Sequence, residues 1–318
     1  RRVPRATGAQ VHLMPHHPMG PLEAVAAFLT PEHSRLAVQL AGLCDVLASQ
    51  PAPESDEEAR AAARPALRLL REHKAFTPVA ERDLRGICVT REAIAGVSPL
   101  ADTLFAVQAL VTLPLLAAGT PAQLTQWRDL LLDGEAIAAF AMTEPGAGSD
   151  VAAIATTATR DGEEWVINGE KHLISNAGLA DVYLVFAVTA PNQARQRLSA
   201  FLVPAGTPGL LYTGAQVTAA PHPLGRIRFS GCRVPAGAML GEPGMGMAVG
   251  LGTLDQMRPS VGAAACGMAT RALSAAIKHA HARSQFDTPL AEMPIVRDSI
   301  ARMATDLDAA RLLTYRAA

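Results

Sequence analysis

The run Phe140-Ala-Met-Thr-Glu-Pro-Gly-Ala-Gly-Ser-Asp150 sets an apolar, strand-like segment against a loop rich in glycine and hydroxyl groups. Gly146 and Gly148 permit a ligand to come close to the backbone, and Thr143, Ser149 and the loop amides offer donors to carbonyl or phosphate oxygens. That chemistry suits a planar cofactor with a polar edge, although Pro145-Gly146 would serve equally in a tight turn between strands. The two glycines also begin a dinucleotide fingerprint, but Val151 stands where its third glycine belongs. The residues that follow, Ile154 to Arg160 and then Asp161-Gly162, read as strand and hairpin instead of helix, which argues against a nicotinamide-binding βαβ unit. The sequence holds no Gly-x-Ser-x-Gly elbow, no His-Glu-x-x-His and no phosphate-binding P-loop, and His172 and His222, both beside strands, read as structural histidines.

The elements that must position this loop belong to a chain of 318 residues, 49% hydrophobic and 18% charged, enough for one large or two to three small domains. A net charge of -1 gives no broad basic face and argues against nucleic-acid binding, while leaving room for a local basic pocket. Cys44, Cys88, Cys232 and Cys266 lie far apart with no Cys-x-x-Cys pair, so they read as reduced, buried thiols and not as a zinc site. With no run of about 18 uninterrupted apolar residues and no apolar segment near the first residue, the expectation is a cytoplasmic protein without membrane insertion. The basic stretch 1–5 reads as a frayed terminus and His16-His17 as a solvated loop.

Apolar residues recur at helical steps over 21–49, 57–73, 101–118 and 121–132. From about Ile137 the period becomes two: Trp165-Val-Ile167 lies between the turn signals Asp161-Gly162 and Asn168-Gly169, and further strands read over 182–188, 198–203 and 226–229. Helical periodicity returns from about Met245 onward, with one helix running through Arg258 to about Arg283 and another from about Met293 to the end, separated by a turn at Asp287-Thr-Pro289. The reading is an α+β multidomain protein: an N-terminal α-helical domain (1–136), a middle β-barrel-like domain (137–238) and a C-terminal helical bundle (239–318). The apolar positions Met303, Leu307, Ala310 and Leu313 run to the last residues without a closing glycine, from which the expectation is a polypeptide that continues beyond Ala318.

Three separated blocks together resemble the acyl-CoA dehydrogenase family of flavoproteins. They are Ala141-Met-Thr-Glu-Pro-Gly-Ala-Gly-Ser-Asp150, Val166-Ile-Asn-Gly-Glu-Lys-His-Leu-Ile-Ser-Asn176 and Leu254-Asp-Gln-Met-Arg-Pro259, with a weaker fourth at Arg283-Ser-Gln-Phe286. The resemblance implies FAD as cofactor and the helical, β-barrel, helical domain order. It places Phe140, Met142 and Thr143 along the flavin ring, Gly148 and Ser149 on the diphosphate side and the acyl-CoA entry, and Leu173, Ile174 and Ser175 on the other flank. It assigns Asp255 and Arg258, together with Ser149, to the acyl-CoA substrate, and Arg283 and Phe286 to the flavin nucleotide of a neighbouring subunit, hence a homodimer or homotetramer. The implied reaction, part of fatty acid metabolism, removes the α-proton of an acyl thioester with a carboxylate and passes the β-hydride to flavin. The product is the 2-enoyl thioester, and an electron-transfer flavoprotein takes the electrons.

The match has gaps. The family's usual catalytic glutamate belongs to a C-terminal helix beyond Ala318, and Met257 stands at the position a minority of the family uses for it, so no catalytic residue is identified among the 318. Leu173 replaces a common tryptophan, Asp287 a glycine, and Pro294 a frequent glutamine. Alternative readings are a flavin oxidase, a monooxygenase, a dehydrogenase of carrier-protein thioesters, or a non-catalytic homologue or subunit. Phe105, Gln108 and Ala109 are candidates for the acyl pocket by location alone.

Overall fold

The computed structural model describes residues 22–192 and 196–318; the basic stretch 1–5 and His16-His17 lie outside the described residues. After a 3₁₀ turn at Leu22–Phe28 come α1 (Pro31–Ser49), α2 (Asp56–Glu72), α3 (Thr77–Glu81), α4 (Leu84–Ala95), α5 (Pro99–Ala118) and α6 (Pro121–Leu132). The side chains of Ser55, Asp83, Ser98 and Thr120 each accept an N–H from the first turn of the helix they precede, and prolines open α1, α5 and α6 where a missing N–H costs nothing. The sequence reading passed over α3 and α4. In α4 every residue from Gly86 to Ala95 is buried, so no polar face marks its periodicity. Two helices are long and apolar enough to cross a membrane by length and composition. One is α5, whose apolar window is 72% buried inside this fold; the other is Gly246–Ala282, with 28% of its window buried.

The middle of the chain supplies β1 (Ala138–Ala141), β2 (Thr157–Asp161), β3 (Glu164–Ser175), β4 (Val182–Val188), β5 (Leu198–Pro204), β6 (Leu210–Ala215), β7 (Leu224–Pro235) and β8 (Met239–Leu240). The strand order is β6-β7-β3-β2-β4-β5-β8, with β1 running parallel to β4. The sheet is therefore open and not a closed barrel. β4 is buried along its whole length because both faces are covered, which explains its unbroken apolar sequence. Val182, Leu184 and Phe186 pack with Val111 and Leu115 of α5 and Trp127 of α6, whereas Tyr183, Val185 and Ala187 join the second, larger core.

The chain ends in α7 (Gly246–Ala282), a short hairpin of β9 (Ser284–Gln285) and β10 (Thr288–Pro289), and α8 (Pro294–Ala317). Helix α7 begins at Gly246, beside Met245 where helical periodicity returns, and ends at Ala282 next to the expected Arg283. The glycines of its first turns allow close packing: a Cβ on Gly246 would lie 2.7 Å from the backbone of Leu198 and Ser199, and one on Gly250 would overlap the Met142 side chain.

Candidate functional site

β1 pairs with β4 from Ala138↔Val182 to Ala141↔Val185 and delivers Met142 and Thr143 to the rim of the sheet. The loop then turns tightly: the Glu144 and Ala147 amides each donate to the other residue's carbonyl, at 3.0 and 3.2 Å, with Pro145 and Gly146 at the corner. A Cβ at Gly146 or Gly148 would meet nothing within 4 Å, and neither glycine has positive φ. No demand of the fold calls for glycine at these two positions, and both leave open space above the backbone.

The end of β3 lies beside this loop, where the His172 amide donates to the Thr143 carbonyl at 2.9 Å. Between Lys171 and Ile174 the pairing with β7 slips, and Leu173 adopts φ 54 with half its surface exposed. The left-handed backbone of a bulky residue is strained and persists because its amide donates to Gln216 Oε1 at 2.7 Å. The Gln216 amide group in turn lies 2.7 Å from His172 Nε2, so that ring nitrogen is the acceptor and His172 has the structural role expected of it. His222 is held by the Ala220 carbonyl.

Beneath the loop, Lys171 is fully buried, and its Nζ donates to the carbonyls of Met142 (3.1 Å) and Phe186 (2.7 Å) and to Glu144 Oε1 (2.8 Å). The Glu144 carboxylate also accepts the amides of Ala155 (2.7 Å) and Thr156 (3.0 Å). Burial draws the Lys171 ammonium down to about 8, against the pull of Glu144. Burial pushes Glu144 upward, but Lys171 and the hydrogen bonds outweigh it and hold the carboxyl below its ordinary value.

The structure gathers Phe140, Met142, Thr143, Gly148, Ser149, Leu173, Ile174 and Ser175 around the junction of β1, the loop and β3. Phe140 is half-buried against Phe186, ring centroids 5.0 Å apart. The side chains of Met142 and Ile174 are buried in the two cores, so only their backbone faces the junction. The hydroxyls of Thr143, Ser149 and Ser175 have no hydrogen-bond partner among the described residues. Arg64 from α2 reaches Asp181, whose carboxylate accepts the Ile137 amide, and Arg60 donates to the carbonyls of Ala177 and Leu224, so the helices fix both strands that form the junction.

Other expected residues lie elsewhere. Asp255 and Arg258 form an exposed ion pair (2.8 Å) well inside α7, not at a helix start. Met257 is buried at 3% exposure in the core. Arg283 follows α7, and Phe286, 93% exposed, tips the β9–β10 hairpin together with Asp287, both with positive φ. No hydrogen bond, ion pair or ring contact joins Arg283 or Phe286 to the junction among the described residues. Phe105 stacks on Phe76, and Gln108 donates to the carbonyls of Leu131 and Ala136, so with Ala109 these are core positions and line no open pocket.

A cleft of about 410 Å³ is lined by none of these residues: Cys44 and Asp45 of α1, Gly96, and Arg271, Ser274 and Lys278 of α7 line it. Among the described residues no group of three or more His, Cys, Asp or Glu could hold a metal. Glu144, Lys171 and Gln216 escaped the sequence reading. The available signal was a pair of opposite charges, Glu144 and Lys171, one in each of two of the blocks.

Residues 139–232 match the family model for the acyl-CoA dehydrogenase middle domain and residues 244–318 that for the acyl-CoA dehydrogenase C-terminal domain. The mitochondrial short-chain specific acyl-CoA dehydrogenase of Mus musculus is 39% identical over 207 residues, 64% of this chain and 50% of that protein, so the match spans about half the length of this relative. The glutaryl-coenzyme A dehydrogenase in complex with glutaryl-CoA superposes with a TM-score of 0.82 at 30% identity, covering 91% of this chain and 76% of that one. The butyryl-CoA dehydrogenase of Megasphaera elsdenii superposes with a TM-score of 0.80 at 26% identity, covering 91% and 79%.

Proposed function

The chain belongs to the acyl-CoA dehydrogenase family, and from that premise we propose that it serves the FAD-dependent oxidation of an acyl-CoA, or a related acyl thioester, to the 2-enoyl thioester. The observation that carries this reading is the trio of unpartnered hydroxyls, Thr143, Ser149 and Ser175, around a glycine loop with open space above it. Thr143 and Ser175 are half-exposed and Ser149 exposed, so their hydroxyls, bonded to no protein group among the described residues, are open to a ligand, and a backbone without Cβ atoms lets a diphosphate approach the amides. These residues fit FAD. Thr143 and Ser175 would bond to the polar edge of the ring, Phe140, Leu173 and the backbone of Met142 and Ile174 would flank it, and Gly148 and Ser149 would meet the diphosphate.

The chemistry that FAD supplies when bound is acceptance of hydride from the thioester β-carbon. What this chain's residues do is bind, orient and polarise: the Thr143 and Ser175 hydroxyls favour the electron-rich ring by donating to its edge. Asp255 and Arg258, exposed on the same helix that packs against Met142, are assigned to the acyl-CoA, where Arg258 can pair with a phosphate. Glu144 is no candidate for the α-proton because its oxygens already accept from Lys171 and two amides. The exposed Phe286 and Arg283 support contact with a second copy, so a homo-oligomer is part of the proposal, as is an electron-transfer flavoprotein partner.

Titration of the protein with FAD, followed by anaerobic addition of acyl-CoA thioesters of several lengths, tests the reading. The expected result is one flavin per chain that bleaches with a thioester. Stoichiometric flavin that no thioester bleaches would favour a second reading, a non-dehydrogenating homologue, for which the buried Met257 at the alternative base position speaks. A protein that binds no flavin would remove both.

A further inference from the structure

We propose that Lys171 and Glu144 form a positioning pair for Thr143, fixing the chain on both sides of it so that its hydroxyl stands ready for the polar edge of a ligand. This inference rests on the flavin reading for the ligand, but the clamp is a property of the protein alone. Lys171 Nζ holds the carbonyl of Met142, the residue before Thr143, and the carboxylate of Glu144, the residue after it. The amide of His172, adjacent to Lys171 on β3, holds the carbonyl of Thr143 itself. Two neighbouring strand residues thus grip three consecutive loop residues.

The grip extends further through Glu144, whose carboxylate gathers the amides of Ala155 and Thr156 at the far end of the glycine loop. Its own amide and carbonyl close the turn with Ala147. All three ammonium donors of Lys171 have acceptors, and the third, the Phe186 carbonyl, ties the assembly to β4. Among the described residues the half-exposed Thr143 hydroxyl at the edge of this network has no partner, and neither does the buried Thr156 Oγ1, which faces inward and not toward the open loop space. A buried ion pair is weak as a source of stability, since well-packed apolar residues often do as well, but it defines geometry in a way that apolar contacts do not. Preorganised donors of this kind avoid reorganisation when a ligand binds.

Two experiments on the full chain test the proposal. In the absence of FAD, hydrogen–deuterium exchange is compared in the parent protein, Lys171→Met and the milder Glu144→Gln. Faster exchange by about tenfold, a loss of roughly 1.4 kcal/mol of local protection, is expected at Glu144, Ala147, Ala155 and Thr156 in Glu144→Gln, in excess of any change in β4 and β5, and more in Lys171→Met; unchanged protection in the loop would overturn the clamp. FAD dissociation constants are then measured in a cycle of Thr143→Val, Glu144→Gln and the double variant. If Glu144 acts by placing Thr143, each single change weakens binding by about tenfold and the double variant does little worse than either. Independent effects, multiplying to about a hundredfold, would contradict positioning and leave the pair a structural tie. Failure of the parent chain to bind FAD would overturn the flavin reading and the role of Thr143 in it, an outcome that the exchange measurement does not share.

Discussion

Two buried carboxylates in this molecule, each facing a cation, are held in opposite ways. Glu144 at the rim of the sheet meets Lys171 and two backbone amides, and its carboxyl lies below its ordinary value. Glu92 inside α4 meets Arg311 (2.7 Å) and the Tyr315 hydroxyl (2.8 Å) of α8, and burial raises its carboxyl above the ordinary value despite them. The contrast follows from the donors. Lys171 first, and then the hydrogen bonds from Thr156 and the Ala155 amide, favour the ionised form of Glu144, whereas at the fully buried Glu92 desolvation outweighs Arg311 and Tyr315. The surroundings differ as well: Thr143, Gly146 and Gly148 beside Glu144 have free hydroxyl and open space, while a Cβ on Gly267 beside Glu92 would overlap the Glu92 carbonyl. One pair lies beside open space and an unpartnered hydroxyl; the other ties α8 to α4.

The largest effects should come from breaking each pair. Lys171→Met and Arg311→Met each leave a buried carboxylate without its cation, and each should cost about 3–5 kcal/mol in urea unfolding. The comparison predicts that they part in a second measurement. Lys171→Met weakens FAD binding in the fraction that remains folded, and Arg311→Met leaves the FAD dissociation constant within about twofold, less than 0.5 kcal/mol. Equal losses of FAD affinity in both would erase the distinction between the two regions.

A smaller effect sharpens the same contrast through pH. The folded-state value of Glu144 lies below the ordinary value of 4.5, so its contribution is present above that pH and lost as pH falls through the lowered value. Glu92 has the opposite sign: its contribution is present below 4.5 and lost as pH rises through the raised value. Unfolding midpoints of the parent protein relative to Glu144→Gln should therefore increase with pH through the acid range, and those relative to Glu92→Gln should decrease. Slopes of the same sign would show that Lys171 and the loop hydrogen bonds do not outweigh burial at Glu144.

The smallest effect concerns the hairpin. Phe286 and Asp287 both adopt positive φ at its two-residue turn, where glycine is favoured at the second position. Asp287→Gly should raise stability by up to about 1 kcal/mol, read as a shift in thermal midpoint, with no change at the β1–β3 junction. A loss of stability would mean that the Asp287 side chain contributes something beyond the turn.

Domain order and the strands with unbroken apolar runs were legible in the sequence because burial on both faces leaves a clear mark, as in β4. Other elements were not. Helix α4 carries Arg91 and Glu92 and has no exposed face, so no polar side marks its period. The Arg91 side chain reaches Asp102 (2.7 Å) and Ser260 (3.0 Å) on two other helices, partners that no local pattern specifies. At the candidate site, the glycines and hydroxyls announced themselves by type. The support beneath them did not, because Glu144 and Lys171 are far apart in the chain and a charged residue in a strand ordinarily faces water.

The central claim is that Thr143, Ser149 and Ser175 are unpartnered because a flavin nucleotide satisfies them. The most direct measurement is titration of the purified chain with FAD, by flavin fluorescence, beside the same titration of Thr143→Val and Ser175→Ala. The account predicts saturable binding of one FAD per chain, weakened about tenfold by either change, roughly 1.4 kcal/mol, with the unfolding midpoint nearly unmoved. Saturable binding indifferent to both substitutions, or no saturable binding at all, would contradict it.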